Sequence, residues 1–195
     1  MNGFQLWAQP YWVNLLALIP LAAFFYWRKR GLLLAKRQLI LLTLFALSFG
    51  FVEASVVVYL RAAAGLLPGY QGTLSEVQHA SQAYRQDKAI DGFPQSLMTV
   101  EPLREAATML MLLCIAILGA SGAAERFASF LWAFAVWDIG YYASLWAIVR
   151  WPASLHDLDV LFLIPVPWIS QVWFPLLVSA LSLLAIAGVR KQAAV

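Results

Sequence analysis

Charge is what this chain has least of. Only 12% of its 195 residues are Asp, Glu, Lys or Arg, while 63% are hydrophobic. A soluble domain is about a quarter charged and about half apolar. Too few polar residues remain to cover a water-facing surface, which excludes a soluble enzyme, a nucleic-acid-binding module and a disordered chain. Cysteine is nearly absent as well. Cys114 is the only one, so no internal disulfide, zinc or iron–sulfur framework can be built, and its place in an apolar run predicts a small packing residue. The two histidines, His79 and His156, both fall outside the long apolar runs. That argues against bis-histidine haem and against a di-iron bundle, which uses Glu-x-x-His pairs on facing helices. No phosphate-binding glycine loop, dinucleotide fingerprint, Gly-x-Ser-x-Gly or zinc-protease helix motif is present. No cofactor is implied.

Apolar runs long enough to cross a bilayer are plentiful. A spanning helix needs about 20 such residues, and five segments qualify, at about 10–27, 38–60, 102–120, 127–149 and 169–189. The first is preceded by no Lys or Arg and followed by Arg28, Lys29 and Arg30, the reverse of a signal peptide. The expected fold is all-α: a single transmembrane domain over 1–195, an integral membrane bundle of about five helices.

The basic residues orient it. Arg28, Lys29, Arg30, Lys36, Arg37, Arg126, Arg190 and Lys191 lie on one side, eight of the thirteen in the chain, with Glu125 as the only acid there. Positive residues mark the cytoplasmic face. The N-terminus is then outside and the C-terminus cytoplasmic. The net charge of +3 is a topology signal and does not imply a nucleic-acid partner. The small residues Gly119, Gly122 and Ala123 predict a tight cytoplasmic turn between antiparallel third and fourth spans.

Two other segments stand out. The outer loop, 61–101, contains Thr73 and Glu76 at capping-box spacing, which predicts a helix from Thr73 to about Ala89. Val160–Trp168 is apolar but too short to cross, and Pro165 and Pro167 each remove a donor. It reads as an interfacial or re-entrant segment: either a hydrophobic loop over the outer end, or a broken helix lining a binding site.

Charges inside spans cost about 2.5–3.5 kcal/mol each at mid-bilayer on insertion scales, so they are the best pointers to function. The candidates for a ligand or proton site are Glu53, Arg61, Glu101, Arg104, Glu105, Asp138, Tyr141 and Tyr142. The assumed topology puts the first five in the outer half, with Asp138 below them. Glu53 and Arg104 are expected to pair across spans two and three. Asp138 has no basic residue within a turn, and Tyr141 and Tyr142 share its helix face. Each has a plainer reading. Glu101 and Glu105 would suit the first turn of a helix with Pro102 near its first position, and Arg61 and Arg150 could simply snorkel to water. A weaker possibility is a metal held by Glu53, Glu101, Glu105, His156 and Asp157.

Gly50-Phe-Val-Glu-Ala-Ser-Val-Val-Val-Tyr-Leu-Arg61, Glu101-Pro-Leu-Arg-Glu-Ala-Ala107, Trp137-Asp-Ile-Gly-Tyr-Tyr142 and Leu161-Phe-Leu-Ile-Pro-Val-Pro-Trp168 resemble a group of small bacterial polytopic membrane proteins with no established activity. The resemblance covers the second span to the start of the fifth. It implies a bacterial cytoplasmic membrane and no reaction. Two function classes stand. One is a protein whose charged cluster binds a small ligand, metal or proton, as enzyme or carrier. The other is a non-catalytic subunit or assembly factor of a larger membrane complex. The expected partners are the lipid bilayer and, for the second class, other membrane subunits.

Overall fold

Long apolar runs with few breakers make long helices, and the computed structural model is mostly helical. It describes residues 5–63 and 95–191, and for 60, 61, 63, 95–99 and 191 the backbone alone. A 3-10 helix, Tyr11–Ala17, runs directly into α1, Leu18–Arg30. Four more α-helices follow: α2, Lys36–Ala63; α3, Gln95–Gly119; α4, Ala123–Val149; and α5, Trp173–Val189. Among the described residues two stretches, Lys36–Tyr59 and Val100–Gly119, are long and apolar enough to cross a membrane by length and composition. The expected outer helix at Thr73–Ala89 lies outside the described residues, as does His79.

The seam between α2 and α4 is the closest in the bundle. Ala46, Gly50 and Ala54 recur every fourth residue along α2, and all three are buried. Gly50 is required by distance: a Cβ there would lie 2.7 Å from the Trp137 carbonyl oxygen and 2.9 Å from the Tyr141 nitrogen. Those are backbone atoms of α4 and cannot turn aside. Gln38 Nε2 donates to Ser129 Oγ (3.0 Å) and Trp132 Nε1 to Thr43 Oγ1 (2.9 Å) across the same seam.

At the end where α1 passes into α2, β1, Leu32–Leu33, pairs in parallel with β4, Arg190–Lys191. Arg190 Nε donates to the Leu34 carbonyl at 2.9 Å. Trp27, Leu32, Leu34 and Ile186 are fully buried beneath. The turn from Gly119 to Ala123 is as short as its small residues predicted.

The opposite end departs from expectation. Val160–Trp168 is not the broken helix that was one of its two readings. It belongs to an antiparallel hairpin of β2, Leu158–Phe162, and β3, Trp168–Gln171, with Leu158 opposite Gln171 and Asp159 opposite Ser170. Pro165 and Pro167 fall in its turn, where no ladder donor is needed. Gln9 extends the pairing by exchanging two 2.8 Å hydrogen bonds with Ile169. α5 therefore starts at Trp173, four residues later than the expected fifth span. Arg150 ends α4 in the left-handed region, φ 56°, its guanidinium 4.6 Å from the Trp146 ring centroid.

Two more expectations are corrected. α3 begins at Gln95, so Pro102 sits about two turns inside it rather than at its first position. Glu101 and Glu105 are then too deep in the helix to serve as first-turn acids. Cys114 is exposed, not a packing residue.

Candidate functional site

A cavity of about 570 Å³ opens between the N-terminal 3-10 helix and α1, α2, α3, α4, α5 and the hairpin. The α2–α4 contact at Gly50 positions it. Glu53 follows Gly50 by three residues, so close apposition of the two helices brings its carboxylate to the edge of α4, within reach of α3.

There it meets Arg104. The Arg104 guanidinium forms an ion pair with Glu53 through Nη1, as the sequence led us to expect. It also donates to Glu101 Oε2 through Nε at 3.2 Å and Nη2 at 2.8 Å. Thr108, one turn along α3 from Arg104, donates its hydroxyl to Glu53 Oε2 at 3.1 Å. Glu53 and Glu101 are 6% and 3% exposed. Arg104, with a side chain 20% exposed, is the accessible member of the triad. Two acids around one arginine hold that arginine in a fixed orientation. They also make it costly to remove, because a buried charge stripped of its partner destabilises by about 3–5 kcal/mol.

Glu105 faces a different partner. Its Oε2 accepts from the Leu163 backbone N–H at 2.8 Å, joining α3 to the hairpin turn. Asp138, buried in the middle of α4, accepts from the Ser179 hydroxyl of α5 at 2.8 Å. The tyrosines expected beside Asp138 also have other partners. Tyr142 donates to Asp159 Oδ2 at 2.5 Å, and Tyr141 stacks on Trp137, ring centroids 6.1 Å apart.

Glu53, Glu101, Arg104, Glu105, Asp138, Tyr141 and Tyr142 all line the one cavity. Arg61 falls in the last turn of α2, its side chain outside the described residues. His156 is exposed in the loop after α4, and Asp157 Oδ2 is occupied by the Ala153 and Ser154 N–H groups at 2.8 and 3.1 Å. Neither lines the cavity. Among the described residues no three His, Cys, Asp or Glu side chains gather closely enough to hold a metal ion. The proposed set of Glu53, Glu101, Glu105, His156 and Asp157 is therefore not assembled.

Sequence reading missed Asp159, Thr108 and Ser179. Asp159 is 2% exposed and lines the cavity. An acid beginning the apolar stretch Val160–Trp168 was the available signal. The Trp137 indole N–H is a further feature: it is buried, belongs to a cavity-lining residue and has no acceptor among the described residues.

Comparison with protein families, with characterised proteins and with solved structures finds no match for this chain. The chemistry must be read from the site itself. Fixed carboxylates, one oriented guanidinium and aromatic walls can bind and orient a small molecule, and can exchange protons with it.

Proposed function

We propose that this chain is a five-span protein of a bacterial cytoplasmic membrane, N-terminus outside, whose outer half holds a small-ligand site. The observation that carries the ligand reading is the convergence of Glu53, Arg104, Glu105 and Asp138, from three helices, on one cavity of about 570 Å³. That volume falls within the roughly 300–1,000 Å³ of small-molecule sites.

Several features support the membrane setting. The apolar windows of α2 and α3 are only 33% and 22% buried within the chain, whereas the core helix of a soluble protein is mostly buried. Large apolar side chains are exposed on every helix, among them Phe25, Leu44, Leu110, Leu118, Trp146 and Leu184. Soluble monomers rarely expose contiguous apolar surface of that kind. α4 is 27 residues long, with Asp138 its only charge between Phe127 and Val149. The 7-residue 3-10 helix and the 13-residue α1 form one continuous rod. At 17 residues, α5 reaches about 25 Å, a few ångströms short of the ~30 Å hydrocarbon layer.

Two experiments test the proposal. Reporter fusions at Ala35 and Gln82 should read cytoplasmic and periplasmic respectively; periplasmic activity at Ala35 overturns the topology. Native mass spectrometry of protein purified in mild detergent should show a bound small molecule whose retention is weakened or lost on Asp138→Asn. A stoichiometric protein partner and no small molecule would transfer the assignment to the membrane-subunit reading.

A further inference from the structure

We infer that the ligand of this cavity is a hydrophobic organic cation, an amine or quaternary centre carried on an apolar body. The inference rests on the ligand-site reading above and adds the chemical class.

Charge is the first argument. Five carboxyl groups line the cavity, those of Glu53, Glu101, Glu105, Asp138 and Asp159, against a single cation, Arg104. Arg104 is already engaged by Glu53 and Glu101. Glu105 and Asp138 accept hydrogen bonds from neutral donors, the Leu163 amide and the Ser179 hydroxyl. Carboxyl groups thus outnumber the one guanidinium, and a cation entering this desolvated space would stabilise the ionised form of Glu105 or Asp138 and pair with it. An anion of the same size would meet one cation, Arg104, already held by two carboxylates.

The walls are the second argument. Apart from the acids and Arg104 they are mainly apolar, and Phe134, Trp137, Tyr141 and Trp168 present aromatic surface. Ring faces attract a desolvated cation and do not hydrate it.

Size is the third, and it separates an organic cation from an inorganic one. A bare divalent ion needs six or more oxygens at about 2.0–2.6 Å. No group of three potential ligands is gathered among the described residues, and about 570 Å³ is far more space than an ion fills.

Tetraphenylphosphonium and tetraphenylborate test this, being nearly equal in size and apolar surface and opposite in charge. Equilibrium dialysis against protein in a neutral detergent, corrected for empty micelles, should show saturable one-to-one retention of the phosphonium and none of the borate. Glu105→Gln and Asp138→Asn should each weaken phosphonium retention about tenfold. Both variants keep an amide oxygen to accept from Leu163 or Ser179, so melting temperature should stay close to that of the parent. The comparison of the two probes on the parent protein needs no variant, so a misfolded variant does not remove the test. Retention of the borate as tight as the phosphonium, phosphonium retention unchanged in both folded variants, or no saturable retention at all would overturn the cation assignment. If native mass spectrometry then still shows a bound neutral or anionic molecule, the ligand-site reading survives alone. If it shows none, both fail.

Discussion

At the end of the bundle where α1 passes into α2, Arg28, Lys29, Arg30, Lys36 and Arg37 are exposed, and beneath them Trp27, Leu32 and Leu34 form an apolar plug. At the opposite end the order is inverted. Glu53, Glu101, Glu105, Asp138 and Asp159 are buried, while apolar residues such as Tyr59, Leu103 and Leu155 are outside. Exposed charges cost the fold little. Buried ones must be held by partners, and apolar residues of similar volume would often serve stability as well or better. The basic end has the pattern of a sequence that specifies a fold. The cavity end breaks that pattern five times, which is where function is expected to reside.

The sharpest way to break this comparison is at the helix seam. Gly50→Leu should abolish folded protein, because its side chain meets α4 backbone at under 3 Å and overpacking that cannot relax is severe. The readout is loss of the monodisperse peak in size-exclusion chromatography. At the basic end, Gly188→Ala meets only Phe24 Cε2 at 3.5 Å, an ordinary contact, and should leave the melting temperature unchanged or slightly raised.

Arg104→Gln comes next. It leaves Glu53 and Glu101 buried without their cation and should cost about 3–5 kcal/mol. Adding Glu53→Gln should recover part of that loss; strict additivity in the double-mutant cycle would reject the pair. Arg126, exposed at the basic end and bound to the Ala120 carbonyl, should change stability by only about 0.5 kcal/mol on conversion to Gln. Equal losses at the two sites would erase the distinction between the ends. The smallest of the cavity-end effects is expected for Tyr142→Phe, which removes one donor to Asp159 and should cost about 1–3 kcal/mol in thermal unfolding.

The two ends also differ in how much of them could be read in advance. Helices rich in Leu, Phe and Ala declare themselves, and charges inside such runs stand out; Glu53, Arg104, Glu105 and Asp138 were visible for that reason. What pairs with what was less legible. The pairing of Glu53 with Arg104 followed from placing both residues at one depth. Ser179 as the partner of Asp138, and Asp159 as that of Tyr142, depend on the rotation of α5 and on a hairpin. Pro165 and Pro167 announced that Val160–Trp168 was not a straight helix. Its pairing with Gln9 and its register are long-range and leave no local mark. Pro102 misled because a proline is usually a helix start, and here the helix runs through it.

The hydrogen bond from Ser179 to Asp138 spans 41 residues, and that from Leu163 to Glu105 spans 58. Both donors come later in the chain than the acids they serve. During synthesis at about 5–20 residues per second, Asp138 precedes its hydroxyl partner by roughly 2–8 s. Until the hairpin and α5 have been made, Glu105 and Asp138 lack these donors and one wall of the cavity is missing. Arrival of the hairpin and α5 completes the enclosure, so the maturation of the cavity is a late, C-terminal event.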